Sequence, residues 1–414
     1  MLKFISFFVA GRSILFVSPF LLSNYLSPNF YGLIESSIAM ATALTSFFIL
    51  GTNGCIPLIV LRKNKYATIQ GVVWHHLFVF TVLGVSFLCC IFFGWSKYFA
   101  LSILFSMIIS MQNLASSHLK SNGFSDYAML VEASLLGLLS VSAVYFELMG
   151  KEKYLWYFVA PIIFLGIFIY VFYFMYFLNL HPNIKNLLWK NTIYLGFPIM
   201  LGGIVSFFAT TSGRLLVNWI GLSDYAAQYS VLSRAAALPI VAHQIITVSR
   251  FRDMFSRDDD FFKKVSLDVL RFVVLCILLF GIFGDVVKYI FGDFFVKTFD
   301  GNKKICFQIV IQSLLWSAIA LNDLYVTRYE SMGKVIYKNA INIIFVMSLF
   351  GGIVFFNKIS IEGFVNFHSC GMLVFYCGQS YNMHKIGLKM YSVWTFSLFW
   401  FIFINVLMII FDFV

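Results

Sequence analysis

Long apolar tracts separated by short polar interruptions fill this chain. They fall at roughly 4–24, 31–60, 71–94, 98–119, 127–147, 155–178, 192–219, 225–249, 265–291, 305–327, 335–356, 361–383 and 391–411. Each is continuous over about twenty residues, the length a helix needs to cross the hydrocarbon of a bilayer. Strands of a membrane barrel would show shorter, alternating runs. In lipid every backbone polar group must be satisfied within the protein, and a helix does so within one segment. The pattern predicts an all-α polytopic membrane protein with 12–14 transmembrane helices, thirteen being the best estimate. No connection exceeds about twenty residues, so no folded soluble domain is expected on either face. The longest, residues 249–264, mixes both signs of charge and reads as a connector at the headgroup surface. The first tract carries Arg12 in its middle and lacks a small-residue cleavage site, so it reads as a span rather than a cleaved signal peptide.

Composition agrees: 61% of the 414 residues are hydrophobic and 11% charged, against roughly 25% charged in ordinary soluble domains. The net charge of +11 is scattered through short loops and builds no nucleic-acid-binding module. Lys and Arg divide unevenly between the two sets of loops, seventeen against eight, with Arg62, Arg250, Arg257 and Lys334 on the richer side. The positive-inside rule then places the N-terminus in the cytoplasm, in the inner (plasma) membrane of a bacterium. An odd number of spans leaves the C-terminus outside, whereas twelve would put Lys385 and Lys389 in a cytoplasmic tail. The seven cysteines include no CxxC pair and read as small buried hydrophobes.

A faint internal repeat organises the spans. At an offset of 196, Leu26-Ser27 between spans one and two corresponds to Leu222-Ser223 between spans seven and eight. Six spans separate these hairpins, so the halves have parallel topology about an axis along the membrane normal. The expected domains are an N-terminal lobe (1–180), a C-terminal lobe (190–385) and an additional C-terminal helix (386–414). Two pseudo-symmetric six-helix lobes around a central cavity are a transporter's geometry. Pro19 and Pro239 sit mid-span and are expected to kink spans one and eight.

Charges inside spans are costly and usually face protein or a water-filled cavity. Arg12, Arg214 and Arg234 lie within spans one, seven and eight. In span seven Gly202, Ser206, Thr210, Arg214 and Asn218 recur every four residues and form one polar stripe. Span four repeats the idea with Ser106, Ser110, Asn113, Ser117 and Lys120 or Ser121. Such stripes serve either helix–helix packing or a hydrated lumen, and an arginine in the stripe favours the lumen. Arg12, Arg214, Arg234, Thr210, Asn218 and Lys120 are the candidate substrate-binding residues. An excess of arginine suits an anionic cargo, because its planar fork takes phosphate at two points. Glu35 and Glu132 are candidates for ion coupling or for pairing with an arginine, the second being preferred. His75, His76 and His243 lack ligand spacing and read as satisfied buried histidines, with no metal expected.

Two segments carry a family resemblance. The run GRSILFVSPFLLSNYLSPNFYGLI (11–34) resembles the first hairpin of polysaccharide and O-antigen flippases of the Wzx type. The run 194–239 resembles the hairpin opening that family's second lobe, and KYIFGDFF (288–295) the segment after span nine. Gly213 stands where the family has an acidic residue before the arginine, and Gln228 where it has a glycine before Tyr229-Ser230. The resemblance implies the multidrug/oligosaccharidyl-lipid/polysaccharide exporter superfamily and alternating access for an undecaprenyl-diphosphate-linked oligosaccharide. It implies no cofactor beyond a proton or sodium gradient. Its implied partners are membrane lipids and the polymerase and chain-length regulator of the same pathway, with no nucleic acid. Rivals are a multidrug cation antiporter, which would want buried acids, and a lipid II flippase. A membrane-embedded polymerase or glycosyltransferase would want a large external loop. No G-x-x-x-x-G-K-[ST] loop occurs on this chain, against an ATP-driven pump and with the non-enzymatic reading.

Overall fold

The computed structural model describes residues 2–62, 67–149, 155–180, 188–210, 213, 217, 223–329, 332–356 and 360–410, and among these the regular structure is helical throughout. The chain divides into two compact units, Met1–Ile204 and Val205–Val414. The first holds α1 (Leu2–Tyr25), α2 (Pro28–Phe48), α3 (Cys55–Arg62), α4 (Ile69–Phe92), α5 (Lys97–Ser121), α6 (Ser125–Met149), α7 (Leu155–Asn179) and most of α8 (Trp189–Thr210). The second holds α9 (Ser223–Ala235), α10 (Leu238–Ser249), α11 (Phe251–Ser256), α12 (Asp259–Val287), α13 (Asp293–Gly301), α14 (Lys303–Val326), α15 (Met332–Phe356), α16 (Ile361–Lys385) and α17 (Tyr391–Ile410). The described parts of the apolar tracts fall mainly on helix, broken at 49–51 and at 236–237, and Gly213 and Val217 are helical. Among the described residues seven single helices are long and apolar enough to cross a membrane, and eight if the bent pair in span two is counted as one. This is an all-α polytopic membrane protein.

In the first unit α5 is the hub, packing against α2, α4, α6 and α7, while α1 lies along α6. The most apolar window of α5 is 83% buried, against 28% for that of α7. The sequence explains the difference. α5 carries small residues that admit close neighbours: Thr45 donates to the Ser106 carbonyl at 3.1 Å, and Ser106 donates to the Ala41 carbonyl at 3.0 Å. The outer helices present large side chains such as Phe92, Phe164, Phe168 and Phe172 to the surroundings. In water such a surface would aggregate, and in lipid it is at home. The second unit repeats the scheme around α14, whose apolar window is 78% buried and which packs against α9, α10, α12, α16 and α17.

Span two is broken. After α2 the backbone turns through left-handed Leu50 (φ 50°) and Gly51 (φ 68°), and the continuing helix is bent by 66°. Gly51 and Gly196 of α8 lie so close that a Cβ on Gly51 would sit 2.2 Å from the Gly196 carbonyl oxygen. Span eight is interrupted at Ala236-Ala237, just ahead of Pro239 at the start of α10. The break expected there from Pro239 is present, whereas α1 runs as one helix through Pro19. The first unit also has a break in span two, made by the left-handed turn at Leu50-Gly51. Cysteine burial is also mixed: Cys55, Cys90 and Cys306 are buried, but Cys89, Cys370 and Cys377 are exposed on apolar helices.

Candidate functional site

The charged cluster of the first unit follows from a turn. α5 ends at Ser121, and Gly123 takes a left-handed conformation (φ 88°). Its N–H donates to the Lys120 carbonyl at 3.2 Å, and the Phe124 N–H reaches the Leu119 carbonyl at 2.8 Å. This is the glycine-terminated helix end that reverses a chain sharply, and it lays α6 antiparallel against α5. Helical side chains lean toward the N-terminus of their helix, so Lys120 leans inward along α5 while Glu132 leans back toward the turn. They meet: Lys120 Nζ hydrogen-bonds Glu132 Oε1. Ser116, one turn earlier, donates to the same oxygen at 2.5 Å. Arg12 of α1 brings Nη2 to 3.9 Å from Glu132 Oε2. The arginine side chain is 9% exposed and the carboxylate 25%. Arg12 lies ten residues along α1, about 15 Å from its start at 1.5 Å per residue. Gln112 holds the α5–α6 contact one turn further in, donating to the Val131 carbonyl and Ser134 Oγ, each at 2.9 Å.

The predicted residues are thus sorted. Arg12, Lys120 and Glu132 come together, and the pairing expected of Glu132 with an arginine is present. Ser116 and Gln112 were missed because the stripe read through Asn113 and Ser117 lies one residue out of register with the face that meets α6. The other end of that stripe packs helices: Ser106 bonds α2, and Ser110 meets His76 Nδ1 through its carbonyl at 3.0 Å. Glu35 is fully buried on α2. The side chain of Thr210, with Arg214 and Asn218, lies outside the described residues. His75 accepts from Trp189 Nε1 at Nδ1 (3.2 Å), which leaves Nε2 to donate to the Phe48 carbonyl (3.1 Å). Both bonds hold it as a neutral, satisfied ring.

Arg234 lies on α9 of the second unit. It lines a pocket, whose empty space of about 570 Å³ includes open solvent, with Gly213, Tyr229, Ser233, Gln312, Ser313, Trp316 and Met372. Gln312 is locked in place, donating to the Val365 carbonyl (3.1 Å) and Ser369 Oγ (2.7 Å) and facing His368 Nδ1 through Oε1 (3.3 Å). A Cβ at position 213 would fall 2.3 Å from the Tyr229 hydroxyl. The phenol therefore uses the space that a side chain at 213 would need, which accounts physically for glycine at the position where the resembling family carries an acid.

Helix content, apolar spans and the two hub-centred units define the class: a multi-pass membrane protein of transporter-like fold. No protein-family model matches the chain, and no curated protein matches it. Solved structures do. An outward-facing multidrug resistance MATE family transporter of the MOP superfamily superposes with a TM-score of 0.57 at 15% identity, covering 95% of each chain. The inward-facing conformation of such a transporter gives 0.54 at 13% identity, covering 92% of this chain and 95% of that one. A MATE structure in complex with MaL6 gives 0.57 at 13% identity over 95% and 96% of the two chains. The chain has the MATE fold.

Proposed function

We propose that the chain is an alternating-access transporter that moves an undecaprenyl-diphosphate-linked oligosaccharide across the bacterial inner membrane. The observation that carries the reading is the convergence of Arg12 and Lys120 on the single carboxylate of Glu132. Among the described residues the cluster holds two cations and one carboxylate. A cation in hydrocarbon costs about 2.5–3.5 kcal/mol even on insertion scales, so a cluster rich in cations favours an anion. A diphosphate fits this demand, because guanidinium and ammonium both bind phosphate oxygens. Glu132, held by two cations and Ser116, acts as the fixed counter-ion, and Glu35 remains the candidate for proton or sodium coupling. MATE structures captured facing inward and facing outward support the alternating-access part of the reading.

The second reading is a multidrug cation antiporter, favoured by the multidrug titles of the neighbours and by the fully buried Glu35. One experiment separates them. Cells lacking the chain are compared with cells carrying wild type, Arg12→Ala or Lys120→Ala, scoring lipid-linked saccharide on the cytoplasmic leaflet and sensitivity to cationic drugs. Accumulation of the lipid-linked saccharide in the null and in both variants, at normal protein levels, supports the flippase. Drug sensitivity without such accumulation supports the antiporter.

A further inference from the structure

Four lysines gather where α15 begins and α16 ends. On α15 Lys334, Tyr337 and Lys338 are exposed, and on α16 so are Tyr381, His384 and Lys385. Asn382 of α16 donates to Asn339 of α15 at 3.0 Å in the buried contact between the two helices. That bond fixes their register. Lys338 lies beside it, and at 1.5 Å per residue Lys334 lies about 8 Å and Lys385 about 5 Å beyond it, toward the same end. Both asparagines point into the contact. A rotation of about 100° per residue along two antiparallel helices then turns Lys334, Lys338, Tyr381 and Lys385 to one side of the pair. Past Lys385, left-handed Gly387 (φ 85°) ends the helix, the Leu388 N–H meets the Met383 carbonyl at 3.1 Å, and exposed Lys389 follows in the turn.

Among the described residues none of these four lysines forms an ion pair, and Lys385 lies over the Tyr381 ring, 4.7 Å from its centroid. Other lysines of the unit have carboxylates: Lys288 meets Asp300 at 2.6 Å, Lys303 meets Asp285 at 2.8 Å and Lys304 meets Glu362 at 2.9 Å. Glu362 is the one acid in α15, α16 and α17, and it sits at the far end of α16. Glu330, just before α15, lies outside the described residues, and one carboxylate answers one lysine of four. This end is cationic, on the side that the Lys and Arg bias assigns to the cytoplasm.

A ligand for this face brings negative charge and accepts an apolar border. Exposed tyrosines concentrate where the hydrocarbon meets water, and lysines carry their ammonium groups outward along apolar stems to the same level. We propose that this side of the α15–α16 pair seats the headgroup of an anionic phospholipid, its phosphate on the ammonium groups and its glycerol–acyl boundary against Tyr381. Basic sites between helix ends on the cytoplasmic side suit acidic headgroups. A zwitterionic lipid brings its own cation, which Lys338 and Lys385 repel. A soluble acidic partner would match the charge but leave the tyrosines without a counterpart. The assignment concerns the lipid around the transporter and does not depend on the cargo.

The test uses the purified full-length chain in detergent micelles, read by native mass spectrometry during titration with phosphatidylglycerol or phosphatidylcholine. Phosphatidylglycerol is expected to bind about tenfold tighter or more. Lys338→Gln and Lys385→Gln should each weaken it about fivefold, the gain expected of one lysine beside an anionic headgroup layer. A quadruple variant that adds Lys334→Gln and Lys389→Gln should bind the two lipids alike. Lys338→Arg and Lys385→Arg keep the charge and should keep the preference, which separates lost charge from a disturbed fold. Lys303→Gln, at the opposite end and already paired with Asp285, should leave the affinity unchanged. Equal binding of the two lipids by wild type overturns the proposal. So does a preference that survives in the quadruple variant, or a loss from Lys303→Gln as large as that from Lys338→Gln. Displacement of phosphatidylglycerol by inorganic phosphate would make this a phosphate site without a lipid, and displacement by poly-L-glutamate would make it a protein-docking face. Either result rejects the lipid assignment.

Discussion

Three glycine substitutions should separate backbone strain from steric contact at the break in span two. Gly123 has φ 88° and nothing within 4 Å of an added Cβ, so Gly123→Ala adds strain alone. A left-handed L-residue costs about 1–2 kcal/mol. Gly196 is helical, and its added Cβ would lie 2.4 Å from the Leu50 carbonyl oxygen, so Gly196→Ala adds contact alone. Overfilling a packed site typically costs about 1–3 kcal/mol. Gly51 combines both: φ 68°, with an added Cβ 2.2 Å from the Gly196 oxygen and 2.4 Å from the Met200 nitrogen. Because those neighbours are backbone, they cannot rotate away, and Gly51→Ala should cost about 2–5 kcal/mol, the sum of the two effects. Equilibrium unfolding of the purified protein in mixed detergent–SDS micelles, followed by tryptophan fluorescence, reads the series. The expected order of destabilisation is Gly51→Ala first, then Gly196→Ala, then Gly123→Ala. The Gly51→Ala, Gly196→Ala pair should fall short of additivity, since the first methyl already separates the two segments. A Gly51→Ala loss no larger than that of Gly123→Ala would refute the close approach of span two to α8.

Glu132→Ala should cost about 2 kcal/mol in the same assay, below the roughly 3–5 of a fully buried pair because the carboxylate is a quarter exposed. Combining Arg12→Met and Lys120→Met with Glu132→Leu should recover most of it, and a triple variant as weak as the single would speak against the cluster. In the second unit, Asp300 accepts from Lys288 at 2.6 Å and holds its ammonium above the usual lysine range. A raised value stabilises the fold fully below about pH 10.4 and loses that stabilisation as pH climbs through the raised value. Lys288→Met should flatten this alkaline loss, and an unchanged pH profile would show that the contact contributes nothing. For topology, single cysteines at Arg257 and at Asn29 on a cysteine-free background should be shielded from and open to an impermeant thiol reagent in whole cells, respectively. Labelling at 257 from outside would reverse the orientation.

The sequence alone determined the solvent and the elements. Apolar tracts of helix-spanning length leave few alternatives in lipid, because the hydrocarbon forbids unsatisfied backbone, and where the structure describes them the tracts are helical apart from the breaks in spans two and eight. The rarity of charge within those tracts made Arg12, Glu132 and Lys120 visible as residues. Their grouping was harder to read, since Arg12 belongs to a helix more than a hundred residues away in the chain from its partners. Ser116 and Gln112 were hidden by a one-residue error of helical phase, about 100° of rotation, which only the packing of α6 against α5 resolves. The break in span two also escaped, because a left-handed Leu50 leaves no mark comparable to a proline, and Gly51 matters through its approach to Gly196. The cavity around Arg234 belongs wholly to the tertiary structure. It joins α9, α14 and α16, and the hydroxyl protons of Ser233 and Ser313 go to carbonyls of their own helices. A pattern of residue types encodes where a chain is dry or polar, but which lone pairs remain free depends on the contacts each group has made in the folded protein.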